Sequence, residues 1–249
     1  MTVKTIYSFL DTLFPFDSAC EFDNVGLLVG DENAEVKTAV IALDCTDGAV
    51  DFAIKHKAEL IITHHPVIFE GLKAVTENTP VFKCIKNGIS VISAHTNLDL
   101  CDGGVNDALC SVLELDSTEK IDCGDGFIFR KGNLKTSMNA DELAEFASNR
   151  LKANARYVDG GKPVRTLAVC GGSGGDLLEC AINASADALL TSEIKHHVFL
   201  EAKKRGITLL DLGHFATERI IVPVLHSTLS NAPLGAEFIP FNEELIKYI

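Results

Sequence analysis

The sequence predicts an α/β protein built from two similar halves. Short aliphatic runs alternate with helical patterns, the same strand–helix–strand arrangement recurs at a fixed offset, and histidines or carboxylates follow several of the runs. Strands joined by helices in this way pair in parallel with right-handed crossovers. In open α/β sheets the loops leaving the strands' carboxyl ends form the crevice where ligands bind.

Thr2 can cap a helix to about Phe14, in which Val3, Ile6, Leu10 and Leu13 recur at helical spacing and Pro15 follows the end. The stretch from Glu21 to Gly30 joins a turn to a short apolar strand; Asp23 and Asn24 in the turn could reach a ligand, although Asx residues often serve the backbone there. From Val36 the pattern is a strand (Ala39 to Leu43), an acidic turn (Asp44 to Asp47), a helix (Gly48 to Lys57) and a strand (Leu60 to Ile62). That strand ends in Thr63-His64-His65-Pro66, because Pro66 cannot donate to a sheet ladder. A helix near Pro80 to Asn87 and a strand from Ile89 to Ser93 lead to His95-Thr96-Asn97-Leu98-Asp99.

Gly103, Gly104 and Asn106 break the chain before a short helix, Asp107 to Leu113. The polar, glycine-bearing stretch from Asp116 to Asn133 is the expected link, dividing a first half, 1–122, from a second, 123–249. A helix from Met138 to Lys152 follows, with Asn139 as cap and Leu143, Phe146, Ala147 and Leu151 on one face. The chain closes with a helix from Thr217 to about Leu229 and a strand from Ala236 to Phe241.

Sliding the sequence by 128 positions lays Val36 to Ala42 on Val164 to Cys170, and Ala58 to Thr63 on Ala186 to Thr191. After a net shortening of ten residues, Gly88 to Ile92 falls on Gly206 to Leu210. Internal self-similarity of this kind points to repeated structural units. The second half also places chemistry after its strands: Glu193, His196 and His197 follow Thr191, and His214 and Glu218 follow Leu212. With one inserted residue, the four-residue spacing of His95 to Asp99 returns as His214 to Glu218, which puts both side chains on one helix face. Imidazole with carboxylate suits zinc, iron, manganese or nickel and differs from the all-oxygen sites of magnesium or calcium. The Gly171 to Gly175 run either offers backbone N–H groups to a phosphate or makes a tight strand-to-helix turn capped by Ser173 or Asp176.

Composition narrows the function classes. The chain has 249 residues, 47% hydrophobic and 7% aromatic, as expected of a globular protein. No stretch reaches the roughly 18 apolar residues of a membrane span, and the acid-flanked N-terminal segment lacks a basic leader, so the expected setting is cytoplasmic. The eight cysteines are scattered with no Cys-x-x-Cys pair, which predicts reduced thiols and argues against a thiolate metal site. A net charge of -13 argues against broad binding to nucleic acid or acidic membranes.

Asp23-Asn24-Val25-Gly26, Thr63-His64-His65-Pro66, His95-Thr96-Asn97-Leu98-Asp99, Gly103-Gly104-Val105-Asn106-Asp107 and Gly213-His214-Phe215-Ala216-Thr217-Glu218, in this order, resemble the Nif3-like family, also known as GTP cyclohydrolase 1 type 2 homologues. The resemblance runs nearly end to end. It implies a Nif3-like fold of two interlocked, similar α/β halves with a dinuclear metal centre between them, and a ring-shaped homohexamer. Motif matching carries the family's metal ligands onto His64, His65, Asp99, His214 and Glu218. Some relatives insert a further domain near the middle, for which the Asp116 to Asn133 link is too short.

Two metals that share three imidazoles and two carboxylates keep open coordination positions, as catalytic sites do. The expected activity is hydrolysis of a nucleotide-like small molecule, either by cyclohydrolase chemistry on GTP or by attack on a phosphoester. His95 is expected as an outer partner or proton carrier, Glu193 as an acid or base, and His196 and His197, with Asp23 and Asn24, as substrate contacts. A reading from another class is a metal-binding hexameric scaffold or regulatory interaction protein.

Overall fold

The computed structural model describes residues 1–124 and 126–247. The chain forms two compact units, one of Met1–Cys101 with Ile221–Ile249 and one of Asp102–Ile220. The first unit runs α1 (Val3–Leu13), β1 (Gly26–Val29), β2 (Thr38–Ala42), α2 (Asp47–Lys55), β3 (Leu60–Thr63), α3 (Pro80–Lys86), β4 (Ser90–Ser93) and the single turn α4 (Thr96–Leu100). The second contains α5 (Val105–Val112), β5 (Asp116–Asp122), β6 (Ile128–Met138), α6 (Ala140–Leu151), β7 (Arg156–Val158) and β8 (Val164–Ser173). It continues with α7 (Leu178–Asn183), β9 (Ala188–Ser192), α8 (His196–Arg205), β10 (Thr208–Asp211) and the single turn α9 (His214–Glu218). The chain then returns to the first unit as α10 (Ile221–Ser230) and β11 (Glu237–Pro240).

Each unit has a sheet centred on three parallel strands. The first has the order β1-β4-β3-β2-β11, with β1 antiparallel at one edge and β11 parallel at the other. The second has the order β5-β6-β8-β9-β10-β7, with β5 and β6 antiparallel beyond β8 and β7 antiparallel to β10. The parallel cores share one register. Ala39 faces Leu60 in the first sheet, and Leu167 faces Ala188 in the second, both displaced by the same 128 positions. Leu60 faces Ser90, and Ala188 faces Thr208, with the ten-residue shortening absorbed in the connection.

Even the anchoring of the first parallel strand is repeated. Glu59 Oε2 accepts the backbone N–H groups of Lys37 and Thr38 at 2.9 and 3.0 Å, and Asp187 Oδ2 accepts those of Arg165 and Thr166 at 3.0 and 2.9 Å. One carboxylate thereby satisfies two donors that the start of the strand would leave open.

Strands buried on both faces read as continuous apolar runs, and β2 and β3 largely do, while β4 is fully buried with Ser90 and Ser93 at its ends. In the second unit the two faces separate cleanly. Leu167, Val169, Ala188, Leu190 and Leu210 pack with residues of α5 and α6, while Ala168, Leu189 and Leu209 pack with residues of α7 and α8. The period of two along each strand sends successive side chains to opposite layers.

Three expectations are corrected. The polar stretch from Asp116 to Asn133 is a β-hairpin of the second unit, and the division falls at Cys101 and Asp102, not between 122 and 123. β5 is an outer strand with nearly every residue exposed, so it needs no apolar face to betray it. The expected closing helix is broken into α9 and α10; Pro223 sits in the first turn of α10, where its missing N–H costs nothing. Cys123 and Cys180 form a disulfide, against the expectation of reduced thiols throughout. The hairpin and α7 bring their Cα atoms to 5.7 Å, within the reach of that bond. No helix among the described residues is long and apolar enough to cross a membrane.

Replacing Asp187 with Ala strips the Arg165 and Thr166 N–H groups of their acceptor, an expected loss of about 1–3 kcal/mol. Urea denaturation measures it; an unchanged midpoint would refute the anchoring role.

Candidate metal centre

In the first unit the donors collect at the carboxyl ends of β3 and β4. Successive residues of an extended strand point to opposite faces, yet the His64 and His65 rings lie 5.0 Å apart, because the chain leaves the strand at Thr63. The Thr63 hydroxyl donates to the His65 carbonyl at 2.8 Å and fixes that bend. His64 is fully buried, and its Nδ1 donates to the Ala94 carbonyl at 2.9 Å. His65 Nδ1 donates to Asp44 Oδ1 at 2.7 Å. Asp99, in the turn of α4, brings Oδ1 to 3.6 Å from His64 Nε2.

His95 precedes the same turn. Its Nδ1 donates to Asp23 Oδ1 at 2.9 Å, and its ring centre lies 5.2 and 5.7 Å from those of His64 and His65. One ligand nitrogen from each of these three histidines falls within 4.8 Å of the others. Asp23 is buried behind His95, where Oδ2 also accepts the Thr96 N–H at 2.9 Å and hydroxyl at 2.6 Å.

The second unit has a smaller set. Gly213, at a φ of 81°, turns the chain from β10 into α9, where His214 and Glu218 share a face. His214 Nε2 lies 2.8 Å from Glu218 Oε2, and its Nδ1 lies 3.0 Å from Glu193 Oε1. Glu218 is almost fully buried. Glu193 leaves β9 in a left-handed conformation, φ 55°, which for a residue with a side chain is a sign of local strain.

All four imidazoles thus have Nδ1 held by a carboxylate or a carbonyl. In His64, His65 and His95 Nδ1 donates and the lone pair lies on Nε2, the arrangement in which histidine binds a metal while an outer partner fixes its ring. Imidazole nitrogen beside carboxylate oxygen is the donor chemistry of divalent transition metals, so the residues fit such an ion.

The roles expected from the sequence redistribute. Both oxygens of Asp23 accept hydrogen bonds within the chain, from His95 and from the start of α4. Asn24 is likewise engaged, donating from Nδ2 to the Ile68 carbonyl at 2.5 Å and so bracing the segment that follows the histidine pair. Glu193 lies against His214 Nδ1, and His196 and His197 are exposed in the first turn of α8. Asp44 was missed as the partner of His65. Its place at the end of β2 was the available signal, since a carboxylate there can reach the neighbouring strand's loop.

The fold and these donor sets define a class: α/β proteins that present histidine–carboxylate groups at strand ends, suited to divalent transition metals. This chain belongs to the Duf34/NIF3 (NGG1p interacting factor 3) family, whose model matches residues 1–244. Curated relatives called "GTP cyclohydrolase 1 type 2 homolog" include one from Campylobacter jejuni, 36% identical over 94% of this chain and 94% of its own length. Another, from Clostridium acetobutylicum, is 33% identical over 93% of this chain and 91% of its own. Among solved structures, the Staphylococcus aureus hypothetical protein SA1388 superposes with a TM-score of 0.94 at 27% identity, covering 100% of this chain and 99% of that one. Reduced HcgD from Methanocaldococcus jannaschii superposes with a TM-score of 0.83 at 31% identity, covering 96% and 97%.

Burial pushes the Asp23 carboxyl up, but the hydrogen bonds from His95 and from the side chain and backbone of Thr96, with the charge of His95, outweigh it and hold the pKa at about 2. A carboxyl depressed in the folded state stabilises above its unfolded pKa of about 4, and that contribution disappears as pH falls through about 2. Wild-type stability should therefore decline more steeply across this window than that of Asp23→Asn. Parallel acid-denaturation profiles would contradict the assignment.

Proposed function

We propose that the protein is a hydrolase dependent on two divalent transition-metal ions per chain, acting on a nucleotide-like substrate in a cytoplasmic setting. The observation that carries this reading is the anchoring of Nδ1 in four histidines at strand ends, an arrangement in which histidine binds a metal through Nε2. The relatives' cyclohydrolase name supports the nucleotide class.

His64, His65 and His214 would hold the ions through Nε2, and Asp99 and Glu218 through carboxylate oxygens. His214 and Glu218 alone are fewer than the three protein ligands usual for a catalytic ion. Ions of this kind supply Lewis acidity, which polarises a substrate oxygen and acidifies water. His95 carries a proton on Nδ1, held by Asp23, and offers Nε2 to take up or return a second during turnover. His196 and His197, exposed at the start of α8, are assigned to the substrate's polar groups.

Elemental analysis of the purified protein should give two ions per chain, with His64→Ala and Asp99→Ala each lowering the content. An unchanged load in both variants would rule out this ligand set. The metal-loaded protein should release formate from GTP or phosphate from another nucleotide. If neither exceeds the Asp99→Ala control, the chain is a metal-binding scaffold.

Six-fold self-association belongs to the same reading. Light scattering should show a mass near six chains, and a monomer across micromolar concentrations would contradict it.

A further inference from the structure

The Gly171 to Gly175 run is a sequence motif that the metal reading leaves unassigned. Its first two glycines lie in the last part of β8, and Gly172 has a φ of 63°. The backbone here is not held open for a phosphate. Gly171 N–H donates to Asn106 Oδ1 at 2.9 Å, and Gly172 N–H donates to Thr217 Oγ1 at 3.1 Å. The Gly172 carbonyl accepts from the hydroxyls of Thr191 at 3.0 Å and Ser192 at 2.5 Å. Three side chains therefore clamp one glycine, and Thr217 lies within α9, between His214 and Glu218.

A Cβ placed on Gly172 would stand 2.2 Å from Glu218 Oε1, 3.2 Å from Glu218 Cδ and 3.4 Å from His214 Nε2. Something would have to move by about 1 Å to reach ordinary contact distance. The glycine backbone is fixed by its hydrogen bonds, whereas the carboxylate stands at the far end of a side chain with rotatable bonds. The carboxylate would give way.

We infer that Gly172 is a positioning residue: a bare stretch of backbone that sets where the Glu218 carboxylate and the His214 ring sit in the metal centre. This rests on the metal reading proposed above. Metal–oxygen bonds tolerate about 0.2 Å, so a shift of about 1 Å costs the ion a ligand while costing the fold little.

The test uses the full chain loaded with zinc, with stoichiometry from elemental analysis and affinity from competition with a chelator. Gly172→Ala should bind zinc about ten- to a hundred-fold more weakly, the range typical of changes behind a ligand, with its circular dichroism preserved. Gly161→Ala is the control: that glycine has a φ of 85° with nothing within 4 Å of an added Cβ, so it carries the strain of a positive φ without the overlap and should bind normally. Glu218→Asp in the Gly172→Ala background withdraws the carboxylate from the overlap, so the two losses should be less than additive.

Wild-type affinity in Gly172→Ala, an equal loss in Gly161→Ala, or strictly additive losses would each overturn the inference while leaving the metal reading intact. A wild type that binds no zinc would overturn both. Should Gly172→Ala fail to fold, Thr217→Val cuts the hydroxyl link between Gly172 and α9 and is judged by the same affinity, where no loss also counts against the inference.

Discussion

An imidazole is fixed in orientation, with one ring nitrogen turned to a metal, when a hydrogen bond holds the other. The structure meets this condition four times, with the Ala94 carbonyl on His64, Asp44 on His65, Asp23 on His95 and Glu193 on His214. Each partner comes from a loop that leaves or approaches a strand, so the orientation of the rings depends on the parallel sheets being in register. A one-residue slip in β3 would send its inward side chains to the other face and carry His64 away from Ala94.

The two units solve the same mechanical problem with the same parts. Three parallel strands in one register, a carboxylate that ties down the first of them, and a single helical turn after the third recur in both. What differs lies around that core. β11 extends the first sheet in parallel, while the β5 and β6 hairpin extends the second in the antiparallel sense. The last turns differ too. In α4 His95 stands just before the turn with Asp99 inside it, whereas in α9 His214 is the first residue of the turn and Glu218 the last.

Polar groups at this centre are buried at a cost that the fold offsets with hydrogen bonds. A carboxylate taken out of water needs several donors to stay ionised, and Asp23 receives them from His95, Asn24 and both donors of Thr96. The tight packing around Glu218 has the same character. Glycine at position 172 leaves room for the carboxylate because no side chain occupies that space. Glu193, His196 and His197 are by contrast exposed.

The amino-acid sequence by itself determined the α/β class, the parallel strands with their repeat, and the histidines and carboxylates at the strand ends, because these are written in local periodicity and in residue types that few other sites require. The family followed from short motifs in a fixed order, and the end-to-end family match agrees. Less legible were the β5 and β6 hairpin, whose exposed outer strand carries no apolar period, and the disulfide, which depends on a distance between residues 57 positions apart. The partners of the rings were hidden for the same reason. Asp23 lies 72 positions from His95, and Asp44 21 from His65, so only the folded sheets decide that one carboxylate turns inward to hold an imidazole and another faces solvent. Spacing along the chain fixes which side chains share a face; which nitrogen of a ring is left for a metal is fixed by contacts that exist only once the strands have paired.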